Sequence, residues 1–198
     1  MGETEYSRYL WDALSTLISN PYGVAGLMGN LQAESGLCPY RLQGDFSDGY
    51  QTSIEYTAKV DSGEISKDEF VNNGPNGGGY GLAQWTYPPR KEMLYEMWKV
   101  GYPSIGHIDL AISLLLTELQ TDYAGVLQVL QSAASVREAS DKVLHDFENP
   151  ADQSEAVEEA RAALGQAWYD LYHGADPEPE KKKKKMPLLL MWQAVQWK

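Results

Sequence analysis

Two stretches of this chain carry residues whose types and spacing could do chemistry. The first is "GVAGLMGNLQAESGL", residues 23–37. Val24, Leu27, Leu31 and Glu34 recur three or four apart, so a carboxyl group shares the apolar stripe of a helix. Glu34 also falls in the last turn, where the helix dipole is negative. Burial and the dipole both favour the protonated acid, the form that can protonate a glycosidic oxygen. The competing reading is a solvated helix-end glutamate. The second stretch is "GGGYGLAQWT", residues 77–86. Its glycines let backbone approach a ligand closely, Gln84 both donates and accepts hydrogen bonds, and tyrosine and tryptophan faces pack on sugar rings. A phosphate cradle is rejected, because neither the dinucleotide fingerprint nor a Gly-Lys-Ser/Thr ending is present.

Bulk properties narrow the field. The 198 residues suit one domain with appendages, and 43% hydrophobic content is enough for a core. The net charge of −12 is unevenly spread. Residues 1–174 carry 10 Lys or Arg against 25 Asp or Glu, a balance of −15, whereas residues 175–198 carry 6 against 3, a balance of +3. Such an acidic body argues against nucleic acid as a partner, since phosphate binding needs clustered cations. The lone Cys38 has no partner for a disulfide and sits beside no metal-binding spacing. Beside Pro39 it reads as a small buried hydrophobe rather than a nucleophile. With His107, His145 and His173 scattered, neither a metal site nor a cofactor is expected. No signal peptide and no apolar run of membrane-spanning length is visible in the body, which predicts synthesis in a reducing cytosol.

The elements that must position these residues read as mainly helical. A first helix starts near Tyr6 and ends before Asn20-Pro21, and a second runs from about Tyr22 to Glu34 with Gly36 as its stop. From Cys38 to Gly79 the pattern dissolves, with "SIEYTAKV" alone periodic; an irregular stretch this long usually serves function. Four helical patterns follow. "HIDLAISLLLTELQ" is apolar nearly all round and predicts a buried central helix. "SVREASDKVLHDFE" opens with a capping box, Ser135 and Glu138. The last pattern begins with Pro150 in its first turn. Trp11, Trp98 and Trp168 fall at helical spacing with apolar neighbours and read as core. Residues 1–173 thus form one domain, 174–185 a charged Pro-containing linker, and 186–198 a short apolar-aromatic segment.

"GLMGNLQAESGL", "GYGLAQWT" and "FENPADQSE" together resemble the catalytic domain of the phage tail lysozyme family, found in endolysins and tail-associated lysins and related to goose-type lysozymes and lytic transglycosylases. The resemblance extends from about Tyr9 to Tyr172, through "EYTAKVDSG" and "SVREASDKVL" in the same order. It implies a lysozyme-like helical fold, with room for a small hairpin beside the cleft. It further implies cleavage of peptidoglycan between N-acetylmuramic acid and N-acetylglucosamine, with Glu34 as general acid and Tyr80, Gln84, Trp85 and Thr86 lining the cleft. Retaining glycosidases place two carboxyls ~5–5.5 Å apart and inverting ones ~6.5–9.5 Å. Candidates for the second are Asp45, Asp48 and Asp61, of which Asp61 in "VDSG" is preferred over its reading as a turn residue. A lytic transglycosylase needs only one carboxyl, and a glycan-binding module needs none; both stay open here. Phe147 and Glu148 correspond to a family motif and are expected to pack and hold the cleft floor. The Lys181–Lys185 run admits three readings: a wall-binding stub, a contact with anionic wall or membrane surfaces, or an end without a role.

Overall fold

The computed structural model describes residues 6–45, 47–74 and 78–173. Eight α-helices occupy most of them: α1 (Ser7–Leu14), α2 (Pro21–Ser35), α3 (Gln51–Ser62), α4 (Pro88–Gly101), α5 (Ile108–Gln120), α6 (Ala124–Ser132), α7 (Val136–Val143) and α8 (Glu155–Tyr172). Among the described residues there is no strand, and two isolated antiparallel bridges, Leu42 to Tyr80 and Tyr80 to Trp85, stand where a hairpin was allowed. No helix of the described residues is long and apolar enough to cross a membrane. The mainly helical, lysozyme-like expectation holds.

The helix at the centre is α2. Asn20 caps it by accepting the Tyr22 amide, Pro21 opens it, and Gly36 ends it in the left-handed region at φ 66°. Val24, Ala25, Leu27, Met28 and Leu31 are buried in the core. Its three glycines face three different helices. A Cβ on Gly23 would lie 1.9 Å from the Leu130 carbonyl oxygen of α6, one on Gly26 2.7 Å from the Ala139 Cβ of α7, and one on Gly29 2.5 Å from the Arg161 carbonyl oxygen of α8. The glycine punctuation is therefore a packing device: backbones nest against α2 where any side chain would hold them off. Helix α5, expected at the centre, is also largely buried, from Leu110 to Leu119.

Ser135 caps α7 by accepting the Glu138 amide at 3.1 Å, as the capping box predicts, while the Glu138 carboxylate reaches one residue further back than the box requires and accepts the Ala134 amide at 2.8 Å. Trp11, Trp98 and Trp168 are core residues. Three departures are informative. The stretch read as irregular contains α3, whose inward residues Ser53, Thr57 and Val60 are mostly small and polar, so its periodicity carries little hydrophobic contrast. An unanticipated helix, α6, joins α5 to α7. Helix α8 starts at Glu155 rather than at Pro150, because Asn149 adopts φ 46° and Ser154 begins the helix in extended conformation. Pro150 is left free to border the groove described next.

Candidate functional site

One wall of this groove is the C-terminal turn of α2. Arg161, buried on α8, reaches across with one guanidinium nitrogen 3.2 Å from Asn30 Oδ1 and another 2.5 Å from Glu34 Oε1. Asn30 and Glu34 are four residues apart, so one guanidinium spans one turn of α2. Asn30 is fixed in turn by donating to the Ser140 carbonyl at 3.1 Å and to the Gly26 carbonyl at 3.0 Å. The close approach allowed by Gly29 and Gly165 brings Arg161 within reach of the acid. Glu34 thus sits in an ion pair with Arg161, an arrangement that apolar periodicity does not announce.

The opposite wall comes from residues 41–45 and 79–86. Tyr80 and Trp85 exchange both backbone hydrogen bonds, at 3.1 and 3.0 Å, closing a tight loop. Within it Gly81 (φ 79°) and Gln84 (φ 47°) take left-handed conformations. Gln84 Nε2 donates to the carbonyls of Arg41 at 3.0 Å and Gly81 at 2.9 Å, so the side chain stitches the two loop segments together. The expectation that Tyr80 and Trp85 line the cleft is corrected here. Both are core residues, Trp85 with no exposed surface, because their polar atoms find internal partners. Tyr80 shares a 2.8 Å hydrogen bond with Thr57, and Trp85 Nε1 donates to Glu118 at 3.1 Å. Gln84 and exposed Thr86 do border the groove.

The floor is Glu148. After α7 the chain widens into a five-residue π turn, Leu144–Glu148, closed by the Asn149 amide on the Leu144 carbonyl at 2.8 Å. Phe147 packs edge-on against Tyr123, centroids 4.7 Å apart, with the Arg90 guanidinium 4.8 Å above its ring. Glu148, next in the chain, borders the groove while its Oε1 is shielded from solvent and has no hydrogen-bond partner. Burial first, and then the charge of Glu34, push its carboxyl up to about 8, against the weaker pull of Arg90 and Arg161. Leu144 and Glu148 are four apart, so this acid also shares an apolar stripe, and the spacing that singles out Glu34 could have singled it out.

The groove encloses about 340 Å³ and is bordered by Ala33, Glu34, Arg41, Gln43, Gly44, Gln84, Thr86, Glu148 and Pro150. A larger one, about 430 Å³, lies between α4 and residues 67–72. There Lys67 pairs with Glu92 and Glu96, and none of the bordering carboxyls is buried unpaired, so we place the chemistry in the smaller groove.

Asp61 is not in that groove. At the end of α3 it accepts the Ile105 amide at 2.8 Å and anchors the segment ahead of α5, a structural task that corrects its preferred reading as second carboxylate. Asp45 is buried and accepts hydrogen bonds from Ser47 and Ser53, which hold its carboxyl well below the usual range. Its role is to clasp its own segment onto Ser53 at the start of α3. Asp48 opens a short 3-10 turn. Cys38 is buried, and burial pushes its thiol up to about 11, as befits a small core residue. The linker, the Lys181–Lys185 run and the apolar-aromatic segment lie outside the described residues.

Two carboxyls on one groove, one in an ion pair and one retaining its proton by burial, form a constellation suited to acid-assisted cleavage of an acetal. A comparison with curated proteins returns no match. The family model described as phage tail lysozyme matches residues 5–172, most of the chain and all of the groove, and this protein belongs to that family.

Proposed function

We propose that this chain is a phage-type endolysin, a muramidase that hydrolyses the glycan strand of peptidoglycan between N-acetylmuramic acid and N-acetylglucosamine, with Glu34 delivering the proton to the glycosidic oxygen. Family membership itself gives it a lysozyme-like, peptidoglycan-degrading function. The finer reading rests on one observation: Glu34 borders a groove with a second carboxyl, Glu148, where hydrolysis has a group to activate water. Gln43, Gln84 and Thr86 supply neutral hydrogen-bonding side chains along the groove, which suits hydroxyl and acetamido groups. No cofactor is needed for this reaction, and the site of action is the bacterial cell wall.

The test is incubation with purified peptidoglycan. Wild-type protein is expected to release fragments with new reducing ends. Glu34→Gln is expected to release none, with an unchanged circular dichroism spectrum. Anhydro-muramyl ends in the mass spectrum would instead assign a lytic transglycosylase. Retention of glycan without any scission would assign a binding module.

A further inference from the structure

A proton donor must hold a proton, yet Glu34 lies in an ion pair with Arg161, its Oε1 2.5 Å from the guanidinium. The charged groups around the groove floor bear on where such a proton could be kept. Three glutamates and two arginines meet there: Glu34 on α2, Glu118 on α5 and Glu148 on the π turn, with Arg90 on α4 and Arg161 on α8. Arg161 is engaged by Glu34, and Arg90 is engaged twice by Glu118, at 2.6 and 2.8 Å. Glu148 is the surplus acid, with a shielded and unpartnered oxygen. An uncompensated charge is costly in such a place, so the group keeps its proton instead. Arg41 borders the far side of the groove. On the turn itself His145 bonds Gln153 and Glu158, and Asp146 pairs with Lys142, so neither supplies Glu148 with a counter-charge.

We propose that Glu148 is a catalytic carboxyl working with Glu34 as a pair that holds one proton: Glu148 stores it at rest, passes it to Glu34 through water in the groove, and then serves as the base. This rests on the muramidase reading. The cycle closes in atoms and charge. Proton transfer leaves Glu148 as carboxylate and Glu34 as acid. Glu34 gives the proton to the glycosidic oxygen as the C1–O bond breaks and its electron pair goes to that oxygen. A water molecule adds to C1, its other proton passing to Glu148. Glu34 is again paired with Arg161 and Glu148 again protonated.

Proton storage and packing respond differently to substitution. A protonated glutamate that only packs is replaced by glutamine with little consequence, since the two are nearly isosteric and both neutral. A glutamate that must lose and regain a proton is not. The experiment compares wild type and Glu148→Gln in peptidoglycan scission from pH 5 to 9.5, with pull-down on insoluble peptidoglycan as the binding control. Expected are a wild-type alkaline limb near pH 8 and a loss of about 100-fold or more in kcat for Glu148→Gln with retention on peptidoglycan unchanged. Glu148→Gln activity within a few-fold of wild type, with the alkaline limb intact, overturns the proposal. A second readout does not depend on turnover: the carboxyl ¹³C titration of Glu148, in wild type and in Glu34→Gln. Its midpoint is expected to fall when the Glu34 charge is removed, and an unmoved midpoint overturns the shared proton. If wild type cleaves no glycan at all, the muramidase reading fails while the titration still reports on the pair.

Discussion

Glu118 and Glu148 are glutamates set into the same interior, and their surroundings give them opposite jobs. Glu118 is 2% exposed yet accepts three hydrogen bonds, one from the Trp85 indole and two from the Arg90 guanidinium. Its charge is compensated, and it fastens the 80–86 loop to α5 and α4. Glu148 borders the groove, but its Oε1 has no partner. Burial alone does not mark a chemical residue. A buried acid with its bonds complete is a fastener, and one with a bond missing on a groove is a tool.

The largest effect that would sharpen this contrast is on stability. Glu118→Ala leaves the Arg90 charge and the Trp85 N–H without their partner, and should cost about 3–5 kcal/mol in urea unfolding. A loss below 1 kcal/mol would mean Glu118 fastens nothing. Glu148→Gln should behave in the opposite way. The folded state holds the Glu148 proton up to about pH 8, whereas the unfolded chain releases it near the ordinary value of 4.5. Wild-type stability therefore falls as pH rises between those values. Glu148→Gln abolishes that slope, so its melting temperature should gain on wild type steadily from pH 5 to pH 8, and a constant gap would remove the distinction. The smallest effect concerns Asp61. Asparagine preserves the acceptor for the Ile105 amide, so Asp61→Asn should keep peptidoglycan scission within about twofold of wild type. A hundredfold loss would return Asp61 to the chemistry.

How much of this was legible follows the same division. Glu34, Gln84 and Thr86 reach the groove because helix periodicity and a glycine-rich loop both leave marks along a sequence. Arg161 could not be placed beside Glu34 from spacing, since 127 residues separate them and the contact depends on two helices meeting at Gly29 and Gly165. Tyr80 and Trp85 were expected on the sugar because their faces suit it. Thr57 and Glu118, 23 and 33 residues away, take their polar atoms and draw them inside. Glu148 was in plain view within "FENP", whose motif pointed to packing and holding the cleft floor; Glu148 does border the groove there, but its shielded, unpartnered Oε1 leaves no mark in a sequence. Helix α3 was obscured because its buried face meets the protein through hydroxyl groups, which carry no hydrophobic signal.

The widened turn at Leu144–Glu148 has a consequence for anyone transplanting this site. Its five-residue hydrogen-bond closure sets the azimuth at which the carboxyl leaves the backbone, so the motif's letters do not suffice without the slack in its winding. Copied onto a regular helix of another scaffold, the same residues would aim the acid elsewhere, and Leu144 and Phe147, buried on the same turn, would lose their seats in the core with it.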